Sequence, residues 1–328
     1  MIRETGSETA PPIPVGRAEI AAAYALIAPY VRRTPLIEAA SPIAGAPPIS
    51  LKLEFLQHAG SFKPRGAFHN LLTRAAPAAG CATASGGNHG AAVAYAAATL
   101  GIKARVFVPK IAAPVKIAKI KAWGAEAVVE GATYFDAQAL CDAYVAKSGA
   151  LMIHPYASPE TVAGQGTVGL EWEEDLARLG CAPIDTALVA VGGGGLIAGV
   201  AAWFAGRVKV VGVEPEGSRA LHAALAAGRP VDVAIDSIAA DSLGARSVGA
   251  LNLAIAERAV DHVALISDEA IRAAQQALWR SFAIVAEPGG AAAYAALASG
   301  AYKPAPGERV GALVCGGNAD LAALAAAA

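Results

Sequence analysis

A lysine at the start of a predicted helix is the side chain of this sequence with the clearest potential for covalent chemistry. Lys63 lies in the segment S-F-K-P-R-G-A, after an apolar strand predicted at residues 51–55 and before a helix that Pro64 can begin. A lysine held at such a junction can have a depressed pKa and act as an amine nucleophile or a base. Taken alone, Lys63 would instead be interpreted as an ordinary surface lysine.

Three turns rich in glycine or small polar residues each follow a predicted strand. They are S-G-G-N-H-G at residues 85–90, G-G-G-G-L at 192–196 and C-G-G-N at 315–318. Because open parallel sheets bind ligands beyond the carboxyl ends of their strands, a ligand is expected at these turns. Residues 192–195 offer backbone N–H groups at a helix start, where the dipole favours an anion, so they predict a phosphate site. A packing turn, the alternative, needs one glycine rather than four.

A nicotinamide dinucleotide is the other ligand that such a turn can bind. Its fingerprint requires G-x-G-x-x-G, followed by an acidic residue about 20 residues later. Ile197 occupies the third glycine position, whereas Glu214 lies at about the right distance. The nicotinamide interpretation is therefore disfavoured but left open.

Short apolar runs alternate with helical stretches in both halves of the chain. Strands are predicted at residues 81–84, 105–108, 127–129, 151–153, 186–191, 208–213 and 310–314. Helices are predicted at residues 88–100, 114–123, 135–147, 196–205, 268–279 and 289–298. This alternation predicts an α/β protein whose parallel sheets carry helices on both faces.

The strands at residues 81–153 form a series of their own. We therefore predict a small domain at residues 80–156, inserted into a large domain formed by residues 1–79 and 157–328. Residues 230–252 have no clear periodicity and are predicted to form long functional loops.

The composition excludes several classes of protein. Of the 328 residues, 55% are hydrophobic and 16% are charged, which excludes extensive disorder. The formal net charge of -1 lacks the basic surplus typical of nucleic-acid binding. The uncharged stretch at residues 186–206 has the length of a membrane span, but four glycines would break such a helix. A strand, a glycine turn and a buried helix are predicted there instead.

The cysteines and histidines give no indication of a metal site. The four cysteines form no C-x-x-C motif, so reduced thiols in a cytoplasmic enzyme are expected. The six histidines show no metal-ligand spacing. Residues 1–12 contain three charged side chains and no apolar stretch, and they are therefore predicted not to be a signal peptide.

In combination, these motifs resemble the pyridoxal-phosphate enzymes of the tryptophan-synthase β-like fold, which is fold type II. Among them the sequence is similar to the serine/threonine dehydratases, with serine racemase as a near relative. The similar segments occur in the family's order: K-L-E-F-L-Q-H-A-G-S-F-K-P-R-G-A, A-S-G-G-N-H-G, H-P-Y-A-S-P-E-T-V-A-G-Q-G-T, V-G-G-G-G-L-I-A-G, V-E-P and C-G-G-N. The resemblance runs from Arg33 to Asp320, and six segments in order are far more specific than one loop.

The resemblance implies a two-lobed fold, pyridoxal 5'-phosphate as the cofactor and a role for each matching residue. Lys63 would form the Schiff base and then act as the base at the substrate Cα. The residues implied to hold the cofactor are Phe62, Lys63, Asn88, Gly192, Gly193, Gly194, Gly195, Leu196 and Cys315. Of these, the glycines would bind its phosphate, Asn88 its phenolic oxygen and Cys315 its pyridine nitrogen. The residues implied to bind the substrate are Ser85, Gly86, Asn88 and His89.

The implied activity is an α,β-elimination that converts a β-hydroxy L-amino acid into a 2-oxo acid and ammonia. The substrate would be serine, threonine or a bulkier analogue such as phenylserine. A thiol at the pyridine nitrogen weakens the electron sink, which favours elimination over transamination. The resemblance also implies a homodimer. From the charge balance, the glycines at residues 192–195 and the cysteines, we expect a cytoplasmic protein that binds neither nucleic acid nor membrane.

Several positions depart from the family pattern. Gly86 replaces a serine that serine racemase uses on the opposite face of Cα, so an amino-acid racemase is the disfavoured alternative. The small side chains at Ala59 and Gly86 are expected to leave room for a bulkier substrate. Glu214 is present where relatives bind a divalent cation, but Ala220 replaces the second ligand, so no metal is expected. A catalytically silent amino-acid-binding protein remains an alternative, which the intact Lys63 disfavours.

Overall fold

The computed structural model describes residues 13–112 and 114–320, which contain ten strands and twelve α-helices. The strands are β1 (Leu36–Ala39), β2 (Ile49–Lys52), β3 (Cys81–Ala84), β4 (Ala104–Val108), β5 (Glu126–Val129), β6 (Leu151–Met152), β7 (Thr186–Ala190), β8 (Lys209–Pro215), β9 (His262–Ile266) and β10 (Val310–Leu313). The helices are α1 (Arg17–Ile27), α2 (Lys63–Thr73), α3 (Asn88–Thr99), α4 (Pro114–Ala122), α5 (Tyr134–Ser148), α6 (Pro159–Arg178), α7 (Gly195–Phe204), α8 (Ala220–Ala227), α9 (Ala240–Leu243), α10 (Ala250–Ala259), α11 (Asp268–Phe282) and α12 (Pro288–Ala298).

The strands form two separate sheets. One has six strands in the order β1-β2-β10-β7-β8-β9, and the other has four in the order β5-β4-β3-β6. The predicted α/β architecture, with parallel sheets and helices on both sides, is confirmed. The exception is the edge strand β1, which pairs with β2 in the antiparallel direction.

The order of the large sheet determines which turns become neighbours. Strand β10 lies between β2 and β7 and is parallel to both, with Ala312 paired to Leu51 on one side and Leu188 on the other. The carboxyl ends of these three strands therefore meet at one edge, where parallel sheets bind ligands. The chain segments that follow them contain Lys63, residues 192–195 and Cys315.

The strand predicted at residues 51–55 is wrong in its second half. Strand β2 ends at Lys52, and two short 3₁₀ turns follow at Glu54–Leu56 and His58–Gly60. Ala59 in the second turn has a φ of 59°, which an apolar sequence pattern does not reveal. Residues 230–252 form loops as predicted, except for the short helix α9 and the start of α10 at Ala250.

Helix α6, which has 20 residues, is predicted only in part, from the acidic run within residues 171–175. The sequence predicts a solvated helix face there, but Glu171 and Asp175 are buried. Glycines such as Gly164 and Gly166 interrupt its pattern and lower its intrinsic helix propensity. In the structure they allow close packing, since a Cβ atom at Gly166 would lie 2.8 Å from the Gly199 carbonyl oxygen of α7. A start signal does exist, because the Ser158 side chain accepts a hydrogen bond from the Thr161 N–H.

A cluster of buried charges connects β2 with α2 and α6. Lys52 Nζ lies 2.6 Å from Glu171 Oε1 and 2.9 Å from Asp175 Oδ2. Arg65 Nε lies 2.6 Å from Glu54 Oε1, and its Nη2 lies 3.0 Å from Glu171 Oε2. Each of these side chains is at most 1% exposed, so each charge depends on its partners for compensation. The cluster anchors the first turn of α2 to the sheet and to α6.

The uncharged stretch at residues 186–206 forms β7, the glycine turn and α7, as predicted. Among the described helices, none combines the length and the apolar character needed to cross a membrane. The domain boundaries at residues 80 and 156 stay a prediction. Residues 1–12, predicted not to be a signal peptide, lie outside the described residues.

Candidate active site

Lys63 is the first residue of helix α2, and its amine is held in the interior. Pro64 occupies the first turn of the helix, where its missing N–H has no effect on the helical hydrogen bonds. Lys63 Nζ donates a hydrogen bond of 2.8 Å to the Pro155 carbonyl, and the centre of the Phe62 ring lies 5.0 Å away. Burial lowers the pKa of the Lys63 amine to about 8. At neutral pH more of this amine is uncharged than in an ordinary lysine, which suits a nucleophile or base.

The glycine turn at residues 192–195 presents backbone where side chains would otherwise lie. Gly194 has a φ of 85°, a left-handed conformation that glycine adopts without strain, and it directly precedes helix α7. A Cβ atom at Gly193 would lie 2.3 Å from the ring of Tyr156, so only glycine fits against this ring. The unpaired N–H groups of the first helical turn and the helix dipole make this turn an anion site.

Asn252, at the start of α10, supports the glycine turn. Its Nδ2 donates to the carbonyl oxygens of Gly193 at 2.7 Å and Tyr156 at 3.0 Å. Its Oδ1 is buried without a hydrogen-bond partner among the described residues. No sequence signal identifies Asn252, because it lies 59 residues from Gly193 in a region without a recognisable motif.

Asn88, which is half-buried, and the buried Glu287 form a polar pair beside the lysine. Asn88 is the first residue of α3, and its Nδ2 donates a hydrogen bond of 2.6 Å to Glu287 Oε1. Burial raises the pKa of Glu287 to about 7, against the opposing effect of this hydrogen bond. The carboxyl group can therefore hold or release a proton near neutral pH.

Cys315 follows strand β10 and is buried. Its Sγ lies 3.5 Å from the Gly289 carbonyl oxygen, to which the thiol donates. Burial, together with the nearby Glu287 carboxylate, raises the pKa of the Cys315 thiol well above its ordinary value. The sulfur is therefore a neutral thiol rather than a thiolate, which a pyridine nitrogen can contact without an ion pair.

One cavity brings all of the predicted cofactor residues together. It is lined by Phe62, Lys63, Asn88, Tyr156, Ala190, Gly192, Gly193, Gly194, Gly195, Leu196, Ser242, Leu243, Glu287 and Cys315. All of the residues predicted to bind the cofactor are in this set. A second cavity of about 710 Å³ shares Asn88, Ser242 and Glu287 with the first, and so extends from it.

The chemistry of this cavity fits pyridoxal phosphate. The glycine turn directly precedes helix α7, and its backbone N–H groups form an anion site, which matches a phosphate group. The buried Lys63 amine can react with an aldehyde, and the neutral Cys315 thiol suits an uncharged ring nitrogen. The roles of individual residues toward the cofactor stay predictions.

Gly86 has a different environment from the one predicted. A Cβ atom at this position would lie 2.7 Å from the Ala112 Cβ atom and 3.2 Å from Val108 Cγ1. The expectation that a small residue at 86 widens the substrate pocket is therefore wrong, since the glycine makes room for Ala112. Ala59 is not among the described residues that line the two cavities.

Ser85 and His89 each form a hydrogen bond within the protein. Ser85 Oγ accepts a hydrogen bond of 3.2 Å from the Gly87 N–H. His89 is buried, with Nε2 3.0 Å from the Ile153 carbonyl oxygen, and burial and the Lys63 charge lower its pKa to about 3. The His89 ring is therefore neutral and donates to the main chain, and its contact with a substrate stays a prediction.

Glu214 has a structural role, since it binds backbone N–H groups of a nearby helix. Its carboxylate accepts hydrogen bonds of 2.8 Å from the N–H groups of Leu221 and His222, at the start of α8. Burial raises its pKa to about 7. Among the described residues, no group of three His, Cys, Asp or Glu side chains is arranged to hold a metal.

Tyr156 is a cavity residue that was not predicted from the sequence. Its ring lies against Gly193 and meets the His154 ring edge-on at 4.8 Å. The signal was present, because Tyr156 is part of the segment H-P-Y-A-S-P-E that contributes to the family resemblance. Its position at the turn depends on the packing of α6 beside α7, which the sequence pattern does not show.

Comparison with known proteins gives consistent matches along nearly the whole chain. The sequence profile of the family described as "Pyridoxal-phosphate dependent enzyme" matches residues 27–316. A phenylserine dehydratase from Ralstonia pickettii is 38% identical over 315 residues, which cover 93% of this chain and 94% of that protein. The structure of maize serine racemase superimposes with a TM-score of 0.87 at 33% identity, covering 95% of this chain and 96% of that one. The structure of a threonine deaminase from T.th. gives a TM-score of 0.85 at 36% identity, covering 93% of this chain and 99% of that one.

Proposed function

The chain belongs to the family of pyridoxal-phosphate-dependent enzymes, with its fold type II architecture and its cofactor, and on this premise we propose that it is a dehydratase of β-hydroxy L-amino acids. The products would be a 2-oxo acid and ammonia. The observation that carries the proposal is the meeting of the Lys63 amine, the glycine turn at residues 192–195 and the neutral Cys315 thiol in one cavity. The similarity to a phenylserine dehydratase supports the same reaction.

Different residues of the cavity would bind different parts of the cofactor. The N–H groups of residues 192–195 would bind the phosphate, and the side chains of Phe62 and Leu196 would pack beside the cofactor. Asn88 would donate to the phenolic oxygen through Nδ2, and Cys315 would contact the ring nitrogen. When bound, pyridoxal phosphate withdraws electrons from the Cα atom of an attached amino acid.

Lys63 would move the proton at Cα. Its amine, with a pKa near 8, is uncharged in part at neutral pH and can accept a proton. Because Lys63 approaches from one side, it reaches one face of Cα, and Gly86 offers no acid or base for the other. Loss of the β-hydroxyl as water then gives an enamine, which becomes an imine and takes up water to release the 2-oxo acid and ammonia.

The second cavity supports a substrate with a larger side chain. Its volume of about 710 Å³ is reached past Asn88 and Glu287, and its wall includes the apolar residues Ala91, Val115 and Ile238. An aromatic substituent at Cβ could lie there without displacing the residues of the glycine turn. We therefore place bulky β-hydroxy amino acids, such as phenylserine, within the substrate range.

The proposal includes the assembly and location of the enzyme. The family resemblance supports a homodimer. All four cysteines are free thiols, which is the usual state in the cytoplasm, and we propose that compartment.

The test is to incubate the enzyme separately with L-serine, L-threonine and L-threo-phenylserine. We expect release of a 2-oxo acid from at least one of them and no D-enantiomer in the remaining amino acid. The Lys63→Ala variant should lose at least about 10²–10⁴-fold of this activity, since it lacks the base at Cα. Appearance of the D-enantiomer at a rate comparable to 2-oxo-acid release would favour the racemase alternative. No 2-oxo acid from any of the three would refute the dehydratase proposal.

A further inference from the structure

A chain of three side chains leads from helix α4 to the cofactor cavity. Lys119 Nζ donates to Asn318 Oδ1 and, at 3.0 Å, to the Ala59 carbonyl oxygen. Asn318 Nδ2 donates to the Ala59 carbonyl at 2.9 Å and to Asn88 Oδ1 at 2.7 Å. Asn88 Nδ2 in turn donates to Glu287. The hydrogen bonds thus join five segments that are far apart in sequence.

The partners of Asn318 allow only one orientation of its amide. A lysine amine bonded to a carbonyl oxygen acts as a donor, so the amide atom facing Lys119 must be the oxygen. Both hydrogens of Nδ2 are then used by Ala59 and Asn88. The reverse orientation would place Oδ1 against two acceptor oxygens and Nδ2 against a donor. The side chain is also confined, because a Cβ atom at Gly60 would lie 2.5 Å from Asn318 Oδ1.

The orientation of Asn318 determines that of Asn88. Since Asn318 presents a donor, Asn88 must turn its Oδ1 toward it and its Nδ2 toward the cavity. Among the described residues, Glu287 accepts one of the two Nδ2 hydrogens, and the other can reach a group bound in the cavity. With the reverse orientation, Asn88 would present an acceptor to a phenolic oxygen, which is itself an acceptor when ionised.

We propose that Lys119 and Asn318 are positioning residues. They make Asn88 present its Nδ2 donor, and not its Oδ1 acceptor, to the cofactor. The inference rests on the proposed role of Asn88 at the phenolic oxygen. Lys119 acts from a helix of the four-stranded sheet, whereas Asn318 follows β10 of the six-stranded sheet. The hydrogen-bond pattern at the cofactor thus depends on a contact between the two sheets' segments.

The decisive variant is Asn318→Asp, which keeps the size of the side chain and removes its donor. Asn88 must then turn Nδ2 toward the carboxylate and present Oδ1 to the cavity. We expect the dissociation constant of pyridoxal phosphate, measured by titration of the full-length protein, to rise by roughly 10–100-fold. The visible absorption maximum of the bound cofactor should shift as well. Lys119→Met should give a smaller change in the same direction, and Lys121→Met, an exposed lysine of the same helix, should give none.

A double-mutant cycle separates this inference from the proposed role of Asn88. If Asn318 acts through Asn88, Asn318→Asp should add nothing to the effect of Asn88→Ala on cofactor affinity. Additive effects would contradict the proposal that Asn318 acts through Asn88. An Asn318→Asp protein with wild-type affinity and spectrum would contradict it as well. If Asn88→Ala alone leaves the affinity for pyridoxal phosphate unchanged, the proposed role of Asn88 is wrong. The proposed roles of Asn318 and Lys119 are then wrong too. Thermal unfolding of each cofactor-free variant shows whether a change in affinity reflects loss of the fold.

Discussion

At the scale of single residues, burial changes the chemistry of the side chains in the cavity. Lys63 loses part of its affinity for a proton because water no longer solvates its charge, and the same effect makes Cys315 a neutral thiol and Glu287 a weaker acid. A nucleophilic amine, a neutral thiol and a titratable carboxyl thus lie in one small volume. None of these states follows from residue type alone.

The shifted pKa of Lys63 predicts the pH dependence of cofactor capture. Only the uncharged amine reacts with an aldehyde, and with a pKa of about 8 its fraction at pH 7 is roughly one-tenth. We expect the rate of covalent capture by the cofactor-free protein to rise about tenfold between pH 7 and pH 9 and then level off. The measurement is a stopped-flow absorbance series, with Lys63→Ala as the control that shows no covalent phase. A rate that continues to rise to about pH 10.5 would mean that the lysine has its ordinary pKa.

The glycine turn can be tested with a matched pair of variants. Gly194→Asp places a side chain and a negative charge at the anion site, and the affinity for pyridoxal phosphate should fall by at least about 100-fold. Gly206 has a φ of 78°, close to that of Gly194, but a Cβ atom there would meet nothing within 4 Å. Gly206→Asp therefore introduces the same backbone strain away from the site, and it should retain the cofactor. Equal cofactor content in both purified variants would show that residues 192–195 form only a packing turn.

At the scale of secondary structure, the buried charge cluster holds the lysine helix in place. Arg65 lies two residues after Lys63 and bonds to Glu54 and Glu171, on a turn after β2 and on α6. Helix α2 is thereby fixed relative to both elements. Because an unpaired buried ion is costly, the cluster tolerates little movement of the helix start.

Removal of one member of the cluster should destabilise the fold. Lys52→Met leaves Glu171 and Asp175 without their shared cation, and we expect a loss of about 3–5 kcal/mol in the free energy of unfolding. Arg105→Met breaks a partly exposed pair with Glu126 on the other sheet and should cost about 1 kcal/mol or less. Urea unfolding of the two variants measures the difference. Similar small losses would mean that the buried pairs contribute no more than the exposed one.

At the scale of the whole molecule, the cofactor cavity lies where the segments of the two sheets meet. Helix α4 follows β4 of the small sheet, yet Lys116 on it lies 2.6 Å from Asp241 of α9, and Lys119 reaches Asn318. Asn88 and Cys315 likewise come from segments of different sheets. A ligand in the cavity therefore contacts both parts of the chain.

Binding of the cofactor should consequently stabilise the entire fold. A ligand that binds only the native state at 100 times its dissociation constant contributes about 2.7 kcal/mol, which raises Tm by on the order of 5 °C. Calorimetry of the protein before and after cofactor removal measures this shift. The increase should be absent in Gly194→Asp and present in Gly206→Asp. A Tm that does not respond to the cofactor in the wild-type protein would contradict binding at a site between the two sheets' segments.

The sequence by itself determined the α/β architecture and the segments that carry the predicted cofactor residues. Alternating strands and helices predict parallel sheets, and turns after such strands bind ligands, so the glycine turn and Cys315 could be placed at one edge. The conformational freedom of glycine and the reactivity of an amine are local properties. Both properties can therefore be predicted from the residue type and from the residues next to it in the sequence.

Only the tertiary structure decided where side chains point and which distant groups they meet. It showed that Gly86 makes room for Ala112, that the His89 ring bonds to Ile153, and that Asn318 orients Asn88. The close packing of α6 on α7 was likewise invisible in the sequence pattern. These features depend on the relative placement of segments up to 230 residues apart, as for Asn88 and Asn318. Side-chain direction and burial arise from that placement, and no local pattern encodes them.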